Sequence, residues 1–185
     1  PTWLENGETT AQNQGKSIVI VGGAGGVGSI AIPLARKVAG LKVIATASRA
    51  ETIAWVTNLG ANHVINHRED LITQMQAIEI PQVDYILCSN DTDAYFHTMA
   101  ELIKPQGKIC SIVETAKPVN LDLLKSKSAT FVWEFMFTRS MFKTADMIEQ
   151  HHILEWVAML IDNGTLRTTV NEVKSPINAA NLRAA

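Results

Sequence analysis

Three glycines define the chemistry open to this sequence. They lie in Ser17-Ile18-Val19-Ile20-Val21-Gly22-Gly23-Ala24-Gly25-Gly26-Val27-Gly28, where Gly23, Gly25 and Gly28 read as G-x-G-x-x-G. A β-branched run enters the cluster and an apolar, periodic segment from Ser29 to Arg36 leaves it. That is the order of a strand, a tight turn and a helix whose unpaired N–H groups and positive dipole end face a phosphate. In this geometry Gly23 turns the chain out of the strand, Gly25 lets a pyrophosphate approach the backbone, and Gly28 lets the helix pack closely on the sheet. A plain tight turn is the alternative for such a cluster taken alone. The same residues also fit G-x-x-x-G-x-G through Gly22, Gly26 and Gly28.

The next informative pair is Ser48-Arg49, which begins 20 residues beyond Gly28. An acidic residue there, at the end of a second strand, would bind the free ribose 2′-OH of NAD. A hydroxyl and a guanidinium instead suit a 2′-phosphate, which favours NADPH. The alternative for Arg49 is a solvated side chain at a helix start. His67, at the exit of a third strand, either approaches the adenosine side of a dinucleotide or is an ordinary polar loop residue.

Other chemistries fit less well. The G-x-x-x-G-x-G spacing of short-chain dehydrogenases goes with a Tyr-x-x-x-Lys pair, but Tyr85 and Tyr95 are followed four positions on by Ser89 and Met99. A serine hydrolase needs a G-x-S-x-G elbow, which does not occur. A methyltransferase on a similar sheet would want an acidic end to the second strand. The pairs His63/His67 and His151/His152 do not converge with a cysteine or carboxylate, so no metal site is expected. Cys88 and Cys110 sit inside apolar runs and read as buried free thiols in a reducing cytoplasm.

The elements that must position these residues follow from periodicity. Strands are expected at 17–22, 41–47, 63–66, 83–88 and 108–113, alternating with helices at 26–38, 50–59, 69–78 and 92–103. Unbroken alternation predicts an α/β fold, a doubly wound parallel sheet in a single domain. Ligands of such sheets lie across the carboxyl ends of the strands. Pro33 lies inside the first helix and should bend it. Later, 120–124 reads as an edge segment, 129–136 as an aromatic-rich strand, 146–161 as a long helix, 166–170 as a further strand and the segment from 177 as the start of a helix. The stripe of Phe131, Trp133, Phe135, Met136 and Phe137 reads either as core or as the lining of a pocket.

Composition agrees with a small-molecule binder. The 185 residues are 46% hydrophobic and 18% charged, with a net charge of -2. One substantial core is possible, and nothing marks an electrostatic footprint for nucleic acid or an anionic membrane. No apolar run reaches the ~18 to 20 residues of a membrane span. Residues 1–14 are polar and aperiodic and read as a lead-in, with 15–185 as the domain. The start at Pro1 and the stop at Ala185 in mid-pattern suggest a fragment of a longer protein.

Four stretches in order carry a resemblance: Gly22 to Ala31, Val43 to Arg49, Leu59 to His67 and Leu102 to Ile109. Together they resemble the nucleotide-binding, Rossmann-type half of medium-chain dehydrogenases/reductases, and within them the zinc-type alcohol dehydrogenase-like, quinone oxidoreductase-like branch. The resemblance covers nearly the whole chain from Gln14 onward. It implies an NADPH-dependent reductase of quinones or activated carbonyl compounds. By that resemblance Gly26 and Val27 meet the pyrophosphate, Ser48, Arg49 and His67 the adenosine phosphate, Ser89 and Asn90 the ribose region, and Val113 the nicotinamide side. It also implies a barrel-like catalytic domain, absent from this chain, that supplies the substrate pocket, so no catalytic residue is expected here and the chain alone is expected to be inactive. Relatives of this kind pair as homodimers through an edge strand, for which Ala129 to Phe135 is the apolar candidate. A rival from another class is a dinucleotide-sensing or partner-binding module without turnover.

Overall fold

The computed structural model describes residues 13–170 and 172–184; residues 1–12 of the expected lead-in lie outside them. Six strands form one all-parallel sheet: β1 Ser17–Val21, β2 Lys42–Thr46, β3 His63–Ile65, β4 Val83–Cys88, β5 Ile103–Ser111 and β6 Thr130–Trp133. Their spatial order is β3-β2-β1-β4-β5-β6. Between β1 and β4 the order of progression reverses, which opens a crevice at the carboxyl ends of these two strands. Helices α1 Gly26–Pro33, α2 Ala50–Leu59, α3 Leu71–Ala77 and α4 Thr92–Leu102 alternate with β1 to β5. The remaining helices are α5 Asp122–Lys125, α6 Thr138–Phe142, α7 Glu149–Asp162 and α8 Ala179–Ala184.

Alternating side chains of each strand feed two separate cores. Val19 and Val21 of β1 join Ile44, Ile86 and Ile109 beneath α3 and α4, where Met75, Phe96 and Met99 are buried. Ile20 joins Val43 and Ala45 beneath α1 and α2, against Ile32, Val56 and Leu59. Burial on both faces explains why the strands read as near-continuous apolar runs.

Several expectations are corrected by the structure. Pro33 ends the regular α-helix, and the chain continues as a π-helical turn, Leu34–Val38, in which Ala39 N–H reaches Leu34 O at 3.0 Å. A proline cannot donate its own helical bond, and the wider turn absorbs the change in register. The 120–124 segment forms the short helix α5, with Leu124 buried, instead of an edge strand. No strand forms at 166–170; Leu166 is buried and its N–H bonds Leu160 O at 2.8 Å, folding the segment back on α7. The aromatic stripe joins the core only at Phe131. Phe131 packs on Phe96 and Trp133, with ring centroids 5.7 and 5.0 Å apart, but Trp133, Phe135 and Phe137 are exposed, because β6 is the last strand of the sheet. Strand β5 begins earlier than expected, at Ile103, and shifts register against β4 between Val83 and Tyr85. Of the two thiols Cys88 is buried and Cys110 only partly so; burial pushes the Cys110 thiol above its ordinary pKa.

Candidate functional site

The glycine cluster forms the turn from β1 into α1 at the reversal point of the sheet. The left-handed residue is Gly22, at φ +81°, so Gly22 and not Gly23 turns the chain out of the strand. A Cβ on Gly23 would lie 2.9 Å from the Ala45 Cβ, which assigns Gly23 to close packing on β2. Gly28 lets the helix start pack on the turn itself: a Cβ there would stand 2.4 Å from Gly22 O and 2.6 Å from Gly23 O. Gly25 and Gly26 are exposed, and a Cβ on Gly26 would meet nothing within 4 Å. Open space therefore lies in front of the helix start.

Helix α1 begins without any capping side chain and without an acidic residue in its first turn. Its N-cap is Gly25, whose carbonyl accepts from Ser29 N–H at 2.8 Å. The N–H groups of Gly26, Val27 and Gly28 precede the first intrahelical bond; Gly26 and Val27 are exposed, while Gly28 is buried. Helix ends of this kind suit an anion. The turn itself is held by a residue that sequence reasoning missed: the buried Thr46 hydroxyl accepts from Gly22 N–H at 2.9 Å. A polar residue closing the apolar run Val43-Ile44-Ala45 was the available signal. Behind the turn, Trp55 Nε1 donates to the buried Ser29 hydroxyl at 2.8 Å and joins α2 to α1.

Strands β2 and β3 bring the second group of residues together. Thr46 pairs with Ile65, and Ala47 N–H bonds Ile65 O at 3.1 Å, so Ser48-Arg49 and Asn66-His67 leave the sheet side by side. Ser48 is half-buried, while Arg49 and His67 are exposed. Arg49 precedes α2 and its Nε lies 2.9 Å from Glu51 Oε1. The guanidinium is thus at the expected corner but engaged by a carboxylate of its own helix. Arg68 is also exposed at this corner, and among the described residues no ion pair engages it. Gln74 of α3 fixes the loop by accepting from Asn66 N–H at 2.7 Å and donating to Asn66 O at 2.9 Å.

The third group lies across the crevice. Ser89 donates its N–H, at 3.1 Å, and its hydroxyl, at 2.8 Å, to Val21 O, which ties the end of β4 to the end of β1. Asn90 is exposed beside it. Val113, half-buried beyond β5, accepts a hydrogen bond on its carbonyl from the Thr92 hydroxyl. The three groups thus border one continuous edge of the sheet, formed by the carboxyl ends of β3, β2, β1, β4 and β5.

The opposite edge holds a cavity of about 340 Å³ lined by Ser17, Lys42, Ile80, Pro81 and Lys104 among others. It sits at the amino ends of the strands, away from the glycine turn. Among the described residues no group of three His, Cys, Asp or Glu side chains could hold a metal ion. No helix of the described residues is long and apolar enough to cross a membrane.

Comparison with known proteins accords with this geometry. Residues 26–150 match the zinc-binding dehydrogenase family. The chain is 49% identical over 175 residues to a zinc-type alcohol dehydrogenase-like protein of Staphylococcus aureus, covering 95% of this chain and 52% of that protein. Among solved structures, a Rhizobium etli protein described as a zinc-dependent alcohol dehydrogenase superposes with a TM-score of 0.84 at 46% identity, over 91% of this chain and 49% of that one. Escherichia coli quinone oxidoreductase in complex with NADPH shares the fold, with a TM-score of 0.70 at 24% identity over 84% of this chain and 48% of that one. The chain spans about half the length of these relatives. With most of its length matched, the chain belongs to the zinc-binding dehydrogenase family, within the medium-chain dehydrogenases/reductases.

Proposed function

We propose that this chain is the NADPH-binding domain of an oxidoreductase that passes hydride from the cofactor to a quinone or an activated carbonyl compound. The observation that carries the reading is the uncapped start of α1 behind Gly22, opening on free space at the reversal point of the sheet. The NADPH bound to E. coli quinone oxidoreductase, which shares this fold, supports the same cofactor. The substrate class rests on the resemblance to that branch.

In this reading the N–H groups of Gly26 and Val27 hold the pyrophosphate, Gly25 leaves the backbone open to it, and Gly23 and Gly28 let the turn pack closely on β2 and on itself. Ser48, Arg49 and His67 receive the adenosine 2′-phosphate, with no carboxylate at the end of β2 to select a free 2′-OH. Ser89 and Asn90 border the ribose, and Val113 the nicotinamide. When bound, the dinucleotide supplies the hydride from C4 of its nicotinamide. The chain's part is orientation: a rigid turn, two loops tied to neighbouring strands, and donors aimed at fixed charges. The substrate pocket and the proton donor belong to a further domain, and the chain alone is inactive. Exposed Val132 and Trp133 on the edge strand β6 support pairing of two copies through that edge. Titration of the protein with NADPH and with NADH tests the reading: tighter NADPH is expected, and equal affinities or tighter NADH contradict it.

A further inference from the structure

Helix α4 starts with more polar side chains than its capping requires. Asp91 already caps it, accepting from Ala94 N–H at 2.9 Å. The next two residues turn away from their own helix. Thr92 is fully buried, and its hydroxyl lies 2.6 Å from the hydroxyl of the equally buried Ser111. It donates to Val113 O. Ser111 in turn supplies the hydrogen for the Thr92 oxygen, so that both hydroxyls are satisfied. Asp93 accepts from Ala116 N–H at 2.7 Å and more weakly from Lys117 N–H at 3.4 Å. The irregular segment 112–117 is therefore fixed from one side by α4 and from the other by β4, where Ile112 N–H reaches Cys88 O at 3.1 Å. Continuing along β4, Ser89 bonds Val21 O at the glycine turn. The turn and Val113 are thus joined through consecutive residues and their hydrogen bonds: Ser89 to Val21 O, Ile112 N–H to Cys88 O, and Ser111 through Thr92 to Val113 O.

We propose that Thr92 and Asp93 are positioning residues that join the loops after β4 and β5 into one platform for the nicotinamide half of the dinucleotide. The proposal rests on the dinucleotide reading above. Neither side chain touches the cofactor; each holds backbone that does. Burial makes the clamp stiff: a hydroxyl fully removed from water cannot exchange its partners for solvent, and losing it leaves Val113 O and the Ser111 hydroxyl short of one bond.

The test uses two ligands that differ only at the far end, NADPH and 2′-phospho-ADP-ribose, which lacks the nicotinamide. Thr92→Val is expected to weaken NADPH roughly tenfold while leaving 2′-phospho-ADP-ribose within about twofold, and Thr92→Ser to restore the wild-type value. Asp93→Asn, a change at a half-buried side chain that spares the core, is expected to shift NADPH in the same sense by a smaller factor. Amide exchange read without ligand should quicken at Ala116 and Lys117 in Asp93→Asn and at Val113 in Thr92→Val. Equal losses for both ligands, unchanged NADPH affinity, or failure of serine to rescue would overturn the proposal. Wild-type protein that binds neither ligand contradicts the dinucleotide reading and the platform's ligand together, and exchange at Ala116 and Lys117 then decides whether the clamp itself exists.

Discussion

At the scale of single residues the glycines divide into those the fold needs and those a ligand needs. Gly28→Ala would place a methyl 2.4 Å from Gly22 O, a backbone atom that cannot step aside, and is expected to destabilise the protein by about 3 kcal/mol in denaturant titration. Gly26→Ala meets nothing within 4 Å, so its stability should match wild type while its cofactor affinity falls. Arg49 is the second residue with a sharp expectation. Arg49→Ala should erase most of any preference for NADPH over NADH, and Glu51→Gln, which frees the guanidinium from its 2.9 Å partner, should enlarge it. A preference that survives Arg49→Ala would transfer the role to another cation at the same corner, where Arg68 is exposed. The positions of Gly28, Ser48, Arg49 and His67 were legible in the sequence because spacing along βα units fixes which strand ends they occupy. The roles of Gly22 and Gly23 were not, since the left-handed residue of a glycine run is chosen by contacts with β2 and β4. Thr46, Thr92 and Ser111 were missed for a related reason: their partners lie on neighbouring strands and helices.

Elements are joined by a few charged side chains at the amino edge of the sheet. Asp84 on β4 accepts from Ser17 N–H of β1 at 2.9 Å and from Lys104 Nζ of β5 at 3.0 Å. Partial burial pushes this carboxyl up, but the bonds from Ser17 and Lys104 outweigh it and hold the group below its ordinary value. A lowered folded-state pKa means that the contribution is complete above the unfolded-state value and is lost as pH falls through the folded-state value. Acid unfolding should therefore show a component below about pH 4 that Asp84→Asn removes. A wild-type acid profile unchanged by that substitution would show that Asp84 contributes nothing. Lys127 joins α4 to the segment before β6, donating at 2.8 Å to Ala100 O, Glu101 O and Ile103 O. Lys127→Met should cost about 1–2 kcal/mol by thermal or denaturant unfolding. The strand and helix alternation through β5 was readable because both faces of the sheet are covered, which keeps apolar runs long. Beyond β5 the pattern weakened: β6 is an edge and α7 buries only Leu160, so apolar residues there no longer mark a core.

The whole molecule is a two-faced sheet with a finished side and an unfinished one. Strands β1 to β5 are covered by α1 to α4, while Trp133, Phe137, Phe142 and Leu154 on the β6 side remain exposed. Edge pairing of two copies would cover part of that surface. Val132→Lys, a charge on the edge strand, should shift a dimer to monomer in light scattering without unfolding it. A wild-type monomer at high concentration would count against edge pairing. On the other side lies the proposed anion site, the turn from β1 into α1 beside the ends of β2 and β3. Calorimetric titration of the protein with NADPH and NADH measures it most directly. The expected result is single-site binding with NADPH at least about tenfold tighter than NADH, the difference one charge-assisted phosphate contact provides; equal affinities, or tighter NADH, would contradict it.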